Sequence, residues 1–233
     1  MPDFFNVRHV SFDLWLTLIK SNPVFKQKRD ELLKAYFQIP HSIEVISAKI
    51  RMWDLRFNAI NEASGKNIDS DELVLLILAD LECDLRKITP AILQDYYNNM
   101  EELFFRFHPV VYEEKLIEYL QQLSGKGITL SLLSNTGFIK GSTLTKLLQI
   151  LEIGPLLKFE IYSDEVHVSK PSKEMYQLVF DNIKQFNTIE TSSILHIGDN
   201  PNADFYGAQQ QGMQSALINS NNISLLSLNI HNN

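Results

Sequence analysis

The sequence has very little cysteine and no excess of positive charge. Cys83 is the only cysteine among 233 residues, so no disulfide can form within the chain, and a reducing, cytoplasmic compartment fits. Acidic residues outnumber basic ones by 28 to 21, which gives a formal net charge of −7. Because a nucleic-acid-binding surface needs a basic face, we expect no nucleic-acid partner. A small anionic substrate is compatible with this charge, since a pocket can differ locally from the whole chain.

Long apolar segments are lacking as well. The longest apolar run, residues 73–79, is too short to span a bilayer. The first five residues contain no basic segment followed by an apolar core, so we expect no secretory signal. These features predict a cytoplasmic protein without a membrane partner.

Residues 7–13 have the pattern of a buried strand that ends at an aspartate. The segment before Asp13 is short, apolar and partly β-branched, as expected of a parallel core strand. Open α/β sheets bind ligands at the carboxyl ends of their strands, which makes Asp13 a candidate functional residue. Taken alone, Asp13 is equally compatible with a turn cap that has no chemical role.

Residues 20–106 contain no strand signal and are predicted to be entirely helical. Capping residues and the helical spacing of apolar residues predict helices over residues 23–37, 43–61, 70–81 and 90–105. The third of these helices is apolar on nearly every side, so it is buried either in a helical bundle or against a second chain. A monomer and a homodimer therefore both stay open.

From residue 109 onwards, helical and strand patterns alternate. Strands are predicted over residues 128–133, 159–162, 194–197 and 214–218, with a helix before the first and helices between them. Strands that alternate with helices indicate an α/β fold with a doubly wound parallel sheet. We expect the tail from residue 219 to be partly loose, although its apolar residues can dock a short segment.

Chemically active residues follow several of these strands. Asp13, Ser134 and Asp199 stand at strand ends, so they meet at one edge of a parallel sheet, and Lys170 can reach the same edge. Acid pairs near an anion site often hold Mg²⁺, and Asp204 supplies a second acid. Hydroxyl and ammonium groups are what a phosphate would need. Each residue alone has a structural explanation, but their order and placement together favour a site.

Four segments of the chain resemble the motifs of the haloacid dehalogenase (HAD) superfamily. They are Asp13-Leu14-Trp15-Leu16-Thr17, the strand ending in Ser134-Asn135, Lys170-Pro171, and a Gly-Asp-x-x-x-x-Asp segment from Gly198 to Asp204. The resemblance spans nearly the whole chain. It implies a HAD-like, Rossmann-type core over residues 1–19 and 107–233. It also implies an inserted all-helical C1 cap domain over residues 20–106.

The resemblance also implies a role for each matching residue. Asp13 would be the covalent nucleophile, with Thr17 and Lys170 as further catalytic residues. Ser134, Asn135 and Lys170 would bind the phosphoryl group of the substrate. Mg²⁺ would be held by Asp13, Asp199 and the backbone carbonyl of Trp15, and Asp204 would support those ligands.

Trp15 departs from the family pattern, because the phosphatases of this superfamily have their general acid, a second aspartate, at that position. An indole cannot titrate near neutral pH, and positioned acid–base catalysis is worth about 10²–10⁴-fold. The haloacid dehalogenases carry an aromatic residue there, but they follow it with glycine, where this chain has Leu16. They also work without a metal, whereas both Asp199 and Asp204 are present here.

Three functions remain open at this point. The leading one is a Mg²⁺-dependent phosphohydrolase that acts on a small phosphorylated metabolite through an aspartyl intermediate, with the usual general acid missing. The alternatives are a metal-independent 2-haloacid dehalogenase-type hydrolase and a catalytically weak HAD-fold binding or regulatory module. The candidate cap residues Arg51, Trp53 and Arg56 are equally compatible with a solvated or core-packed helix face.

Overall fold

A five-stranded parallel sheet forms the centre of the molecule. The computed structural model describes residues 2–232. The strands are β1 (His9–Phe12), β2 (Thr129–Ser134), β3 (Glu160–Tyr162), β4 (Ile194–Gly198) and β5 (Gln214–Leu217). Their order across the sheet is β3-β2-β1-β4-β5, and every neighbouring pair is parallel. The predicted α/β fold with a parallel sheet is confirmed.

The helices fall into two groups, one inserted between β1 and β2 and one that flanks the sheet. The first group is α1 (Pro23–Tyr36), α2 (Ile43–Ser64), α3 (Ser70–Asp80) and α4 (Pro90–Arg106). The second is α5 (Leu116–Gly125), α6 (Gly141–Ile150), α7 (Ser163–Val166), α8 (Lys173–Ile183) and α9 (Gly207–Gln210). No helix within residues 2–232 combines the length and the apolar character needed to cross a membrane.

Two apolar cores cover the two faces of the sheet. Leu120 of α5 and Leu144 of α6 belong to the same core as Leu132 of β2. The next residue, Leu133, points to the opposite face and belongs to the core that contains Met175 and Val179 of α8. This alternation is the one that a strand buried on both faces requires. The sheet is therefore doubly wound, as predicted.

The helices α1 to α4 form the helical insertion, a name kept below. Each begins at a capping residue that the sequence shows: the side chains of Asn22, Ser42 and Thr89 accept hydrogen bonds from the first turns of α1, α2 and α4. The Asp69 amide donates to the Glu72 carboxylate, which completes a capping box at α3. Gly65, with a φ of +68°, ends α2 in the left-handed conformation that glycine accepts without strain.

The helical insertion contacts the sheet domain at its base and at the C-terminal end of α2, among other places. A short antiparallel pair, Ile19–Lys20 with Val110–Val111, forms the two connections between them. The loop after α2 also lies on the sheet domain, where the Ser163 hydroxyl donates to Asn67 Oδ1 at 2.7 Å and the Ser169 amide donates to the Gly65 carbonyl at 3.0 Å. The insertion is thus held at its base and at the far end of α2.

Three details differ from the sequence-based expectations. The tail is docked, because Leu225, Leu228 and Ile230 are buried and Asn229–Ile230 pairs with Asp3–Phe4. Helix α3 is buried on one face only, with Leu76 37% exposed. The helix predicted between β4 and β5 is irregular: its first part is a wide π-helical turn over Pro201–Tyr206, in which the Phe205 amide donates to the Asn200 carbonyl, and α9 begins only at Gly207.

Candidate active site

Asp13 follows β1 directly and is almost fully buried, with 7% of its surface exposed. Its amide donates to the Ile197 carbonyl of β4 at 2.9 Å, which fixes the backbone at the sheet edge. The Lys170 ammonium donates to Oδ1 at 2.8 Å and the Thr17 hydroxyl donates to Oδ2 at 3.0 Å. Burial raises the pKa of Asp13, and the charge of Lys170 offsets this only in part. Both carboxylate oxygens are therefore held in a fixed direction.

Lys170 is the cation at the centre of the site, and only 1% of its surface is exposed. Besides Asp13, its ammonium contacts Asp204 Oδ1 at 2.7 Å. Burial lowers the pKa of Lys170, but the attraction of the two carboxylates outweighs this effect and the net shift is upward. The Asn135 side chain holds the Lys170 backbone on both sides, accepting from its amide at 2.8 Å and donating to its carbonyl at 3.1 Å.

Asp204 has both carboxylate oxygens occupied by protein groups. Oδ1 contacts Lys170 and lies 3.2 Å from His196 Nε2, while Oδ2 accepts from the Asn200 amide at 3.0 Å. Burial raises the pKa of Asp204, but Lys170 and His196 together hold it well below its usual range. A Cβ atom on Gly198 would lie 2.2 Å from this carboxyl group, so only glycine allows the π-helical turn to approach β4 this closely.

Asp199, which follows Gly198, makes fewer contacts with protein groups than Asp204 does. Burial and the nearby charges of Asp13 and Asp204 raise its pKa to about 7. One carboxylate oxygen from each of Asp13, Asp199 and Asp204 lies within 4.8 Å of the others. Lys170 is the buried cation beside them. Hard oxygen donors with an excess of negative charge fit a divalent cation such as Mg²⁺.

A cavity of about 430 Å³ lies over this cluster, between the sheet edge and the helical insertion. Its floor includes Asp13, Trp15, Asn135, Lys170 and Asp199. Its roof, formed by α1 and α2, includes Arg29, Arg51, Asp54, Asn58 and Glu62. The volume suits a small metabolite, and the charged groups on both sides suit a polar one.

Comparison with known proteins defines the family. A model of the haloacid dehalogenase-like hydrolase family matches residues 7–212. The chain belongs to the haloacid dehalogenase-like hydrolases. The helical insertion is accordingly the inserted cap domain of a HAD-like fold, in agreement with the fold predicted from the sequence.

Individual relatives of this HAD-like hydrolase differ in their chemistry. It is 31% identical over 83 residues to the rhythmically expressed gene 2 protein of Drosophila melanogaster, a match that covers 36% of this chain and 32% of that protein. YfnB of Bacillus subtilis, solved with bound magnesium, has 21% identity and a TM-score of 0.68, with 97% and 94% of the two chains covered. A HAD phosphatase from Thermococcus onnurineus has 18% identity and a TM-score of 0.66, with 97% and 93% covered. Several dehalogenases match with TM-scores of 0.59 to 0.62.

The structure of the hydrolase brings most of the predicted site residues together. Asp13, Thr17, Lys170 and Asp204 are joined by hydrogen bonds, and Asp199 lies beside them. Asn135 lines the cavity, whereas Ser134 is fully buried and donates to the Asn135 carbonyl at 3.2 Å. The catalytic and binding roles of these residues remain predictions.

The Trp15 side chain lies at the cavity wall and is half-buried. Leu16, the next residue, has a φ of +59°, in the left-handed region that favours glycine. Its carbonyl accepts from the Asn219 side chain at 2.6 Å, a contact that fastens the loop to the end of the sheet. The backbone at residue 16 therefore has a glycine-like conformation although its side chain is leucine.

Several site residues could not be found from the sequence. His196 lies within a buried strand, where a lone histidine has no distinguishing pattern. Of the candidates Arg51, Trp53 and Arg56, only Arg51 lines the cavity. The other two make contacts elsewhere: the Trp53 indole donates to Asp80, and the Arg56 guanidinium lies over the Trp53 ring. Glu62 lies on the same polar face of α2 as Arg51, and only the docking of the insertion shows where that face points.

Proposed function

We propose that this hydrolase is a Mg²⁺-dependent phosphohydrolase that acts on a small phosphorylated metabolite through an aspartyl-phosphate intermediate. The observation that supports the proposal is the charge of the site. Three carboxylates lie together and one buried lysine contacts two of them, so the site has an excess of negative charge that suits a divalent cation more than a metal-free reaction. Asp13, Asp199 and the Trp15 carbonyl would hold Mg²⁺, with Asp204 fixing the surrounding groups.

The reaction has two steps. The Asp13 carboxylate attacks the phosphorus atom, the bond between phosphorus and the leaving oxygen breaks, and that oxygen takes a proton. Water then attacks the phosphorus of the aspartyl phosphate, which releases phosphate and restores the carboxylate. Thr17 and Lys170 aim Asp13, while Lys170 and Asn135, which line the cavity, are the proposed binding groups for the phosphoryl oxygens. Ser134, predicted for the same role, is buried beneath them and would act through its contact with Asn135. When bound, Mg²⁺ supplies positive charge to the transferring group.

The helical insertion is proposed to be a C1 cap, with the hydrolase core over residues 1–19 and 107–233 and the cap over residues 20–106. Closed over the sheet edge, it excludes water from the site and selects the substrate. Trp15 occupies the place of the usual loop acid, so the loop itself cannot supply the proton.

Release of phosphate tests the function directly. A panel of phosphate esters should be hydrolysed with Mg²⁺ present, EDTA should abolish the release, and added Mg²⁺ should restore it. Binding of Mg²⁺ without turnover of any ester would favour a regulatory module instead.

A second candidate, a 2-haloacid dehalogenase, is favoured by one observation, the aromatic Trp15 beside the nucleophile. In that case halide release from 2-haloacids should occur and should survive EDTA. Measuring phosphate release and halide release with and without EDTA therefore separates the two reactions.

The two acids after β4 should contribute unequally to Mg²⁺ binding. Within residues 2–232, no hydrogen bond joins the Asp199 carboxylate to another residue, whereas both oxygens of Asp204 are engaged by protein groups. In calorimetric titration, Asp199→Asn should remove measurable binding, while Asp204→Asn should weaken it by about 10–100-fold, as is typical for groups that orient ligands. Equal losses in the two variants would contradict this ranking.

A further inference from the structure

We propose that Glu62, on the helical insertion, is the proton donor to the leaving group of this hydrolase. The inference rests on the proposed phosphohydrolase function and adds a catalytic residue to it. The inference is based on the position of the Glu62 carboxylate, which contacts the loop after β4 and lines the same cavity as Asp13.

Helix α2 presents one polar face to the cavity. Arg51, Asp54, Asn58 and Glu62 are spaced by three or four residues and all line it, so they lie on successive turns of the same side. Glu62, nearest the C-terminal end, is the member that touches the sheet domain. Its Oε1 accepts from the Asn200 side chain at 2.7 Å.

Glu62 differs from the other carboxylates that line the cavity. Asp13 is the nucleophile, Asp199 is a metal ligand in the proposed function, and Asp204 has both oxygens engaged. Asp54 pairs with Arg51 at 3.2 Å. In Glu62, one oxygen is anchored to Asn200, and no hydrogen bond or ion pair within residues 2–232 involves Oε2. An anchored carboxyl group with one free oxygen suits positioned proton transfer.

The location of Glu62 also matches the direction of the reaction. Asp13 attacks from the floor of the cavity, so the leaving oxygen departs towards the roof. There the acid form of Glu62 gives its proton to that oxygen as the bond to phosphorus breaks. The resulting carboxylate then takes a proton from the water that attacks the aspartyl phosphate, which returns Glu62 to its acid form. Trp15 offers no titratable group for either transfer.

Leaving-group dependence provides the test. The probes are p-nitrophenyl, phenyl and benzyl phosphate, which are similar in size but differ in how strongly the departing oxygen needs a proton. Glu62→Gln should lower kcat/KM for benzyl phosphate by about 10²–10⁴-fold and change p-nitrophenyl phosphate little. Glu62→Ala should show the same selective loss, because neither alanine nor glutamine can give a proton, although only glutamine can keep the Asn200 contact.

A structural role for Glu62 would give a different pattern. Equal losses on all three esters, or a Gln variant that retains benzyl phosphate hydrolysis while the Ala variant loses it, would overturn the inference and leave the phosphohydrolase function standing. Asp54→Asn is the matched control and should affect the three esters by a common factor. Absence of turnover of every ester by the wild-type protein with Mg²⁺ would overturn both the function and the inference.

Discussion

Asp13→Asn should abolish hydrolysis and leave the fold intact. An amide cannot attack phosphorus as a carboxylate does, so the covalent route is closed. The amide oxygen of the substituted side chain can still accept from Lys170 while its NH2 group donates to the Thr17 hydroxyl, which preserves the packing of the loop. We expect kcat to fall by more than about 10³-fold, in the range seen when a nucleophile is removed from an enzyme. Steady-state phosphate release with Mg²⁺ present measures the loss.

The control for this variant is a second buried aspartate outside the site. Asp30 accepts from Arg29 and Ser47 within the helical insertion, so Asp30→Asn should reduce stability without closing the covalent route. Thermal unfolding and near-ultraviolet circular dichroism report the fold of both variants. Turnover by Asp13→Asn at more than a few per cent of wild type would remove Asp13 from the nucleophile role.

Lys170→Met should be the most destabilising single substitution in the site. It removes the one ammonium that, within residues 2–232, contacts the carboxylates of Asp13 and Asp204, both of which are buried. Leaving buried charges without their partner costs about 3–5 kcal/mol in the free energy of unfolding. The substitution should also remove activity, since Lys170 orients the nucleophile. Urea unfolding gives the stability, with the exposed Lys146→Met as a control that should stay within about 0.5 kcal/mol of wild type.

The loss of stability in Lys170→Met should depend on pH in a defined direction. Without the ammonium, burial and mutual repulsion raise the pKa of the two carboxylates in the folded variant above the unfolded values. The folded state then binds more protons than the unfolded chain, so the deficit is largest at pH 8 and shrinks as the pH falls towards ~4. A deficit that is constant between these pH values would show that lost packing, rather than uncompensated charge, is the cause.

The floor of the site could be predicted from the sequence because its residues are tied to strand ends. In a parallel sheet, a residue that follows a strand has little choice of position, and Asp13 and Asp199 therefore meet whatever the details of the helices. Lys170, at the start of the helix that follows the remaining strand, is predicted to reach the same edge, and the structure adds that it bridges Asp13 and Asp204. Local chain geometry was sufficient for these groups.

The roof of the site could not be predicted in the same way. The apolar stripe of α2 identifies the side that packs against its neighbours, with Ile46, Ile50 and Phe57 buried. It does not say whether the remaining polar face meets water or a second domain. Glu62 and Asn58 acquire their place in the cavity only through the docking of the insertion, which depends on contacts between residues far apart in sequence, such as Asn67 with Ser163.

Contacts between residues far apart in sequence also explain why the docked tail and the π-helical turn differ from the sequence-based expectations. Asn229–Ile230 forms a strand only because Asp3–Phe4, at the opposite end of the chain, offers an edge. The π-helical turn over Pro201–Tyr206 follows from the close approach of Asp204 to Gly198 and from the cation that Asp204 meets there. The sequence pattern of residues 203–211 indicates an ordinary helix, because it contains no sign of the approach to Gly198 or of the contact with Lys170.

The position of water attack tests the central claim, phosphoryl transfer to Asp13, most directly. Turnover of a phosphate ester is carried out in ¹⁸O-labelled water with Mg²⁺, and mass spectrometry is applied to the released phosphate and to the peptide that contains Asp13. An aspartyl phosphate opened at phosphorus places the label in phosphate and leaves Asp13 unlabelled, which is the result we predict. Label in the Asp13 carboxylate would contradict it, because it would mean that water attacks the carboxyl carbon, as in the hydrolysis of a carbon ester of the dehalogenase type.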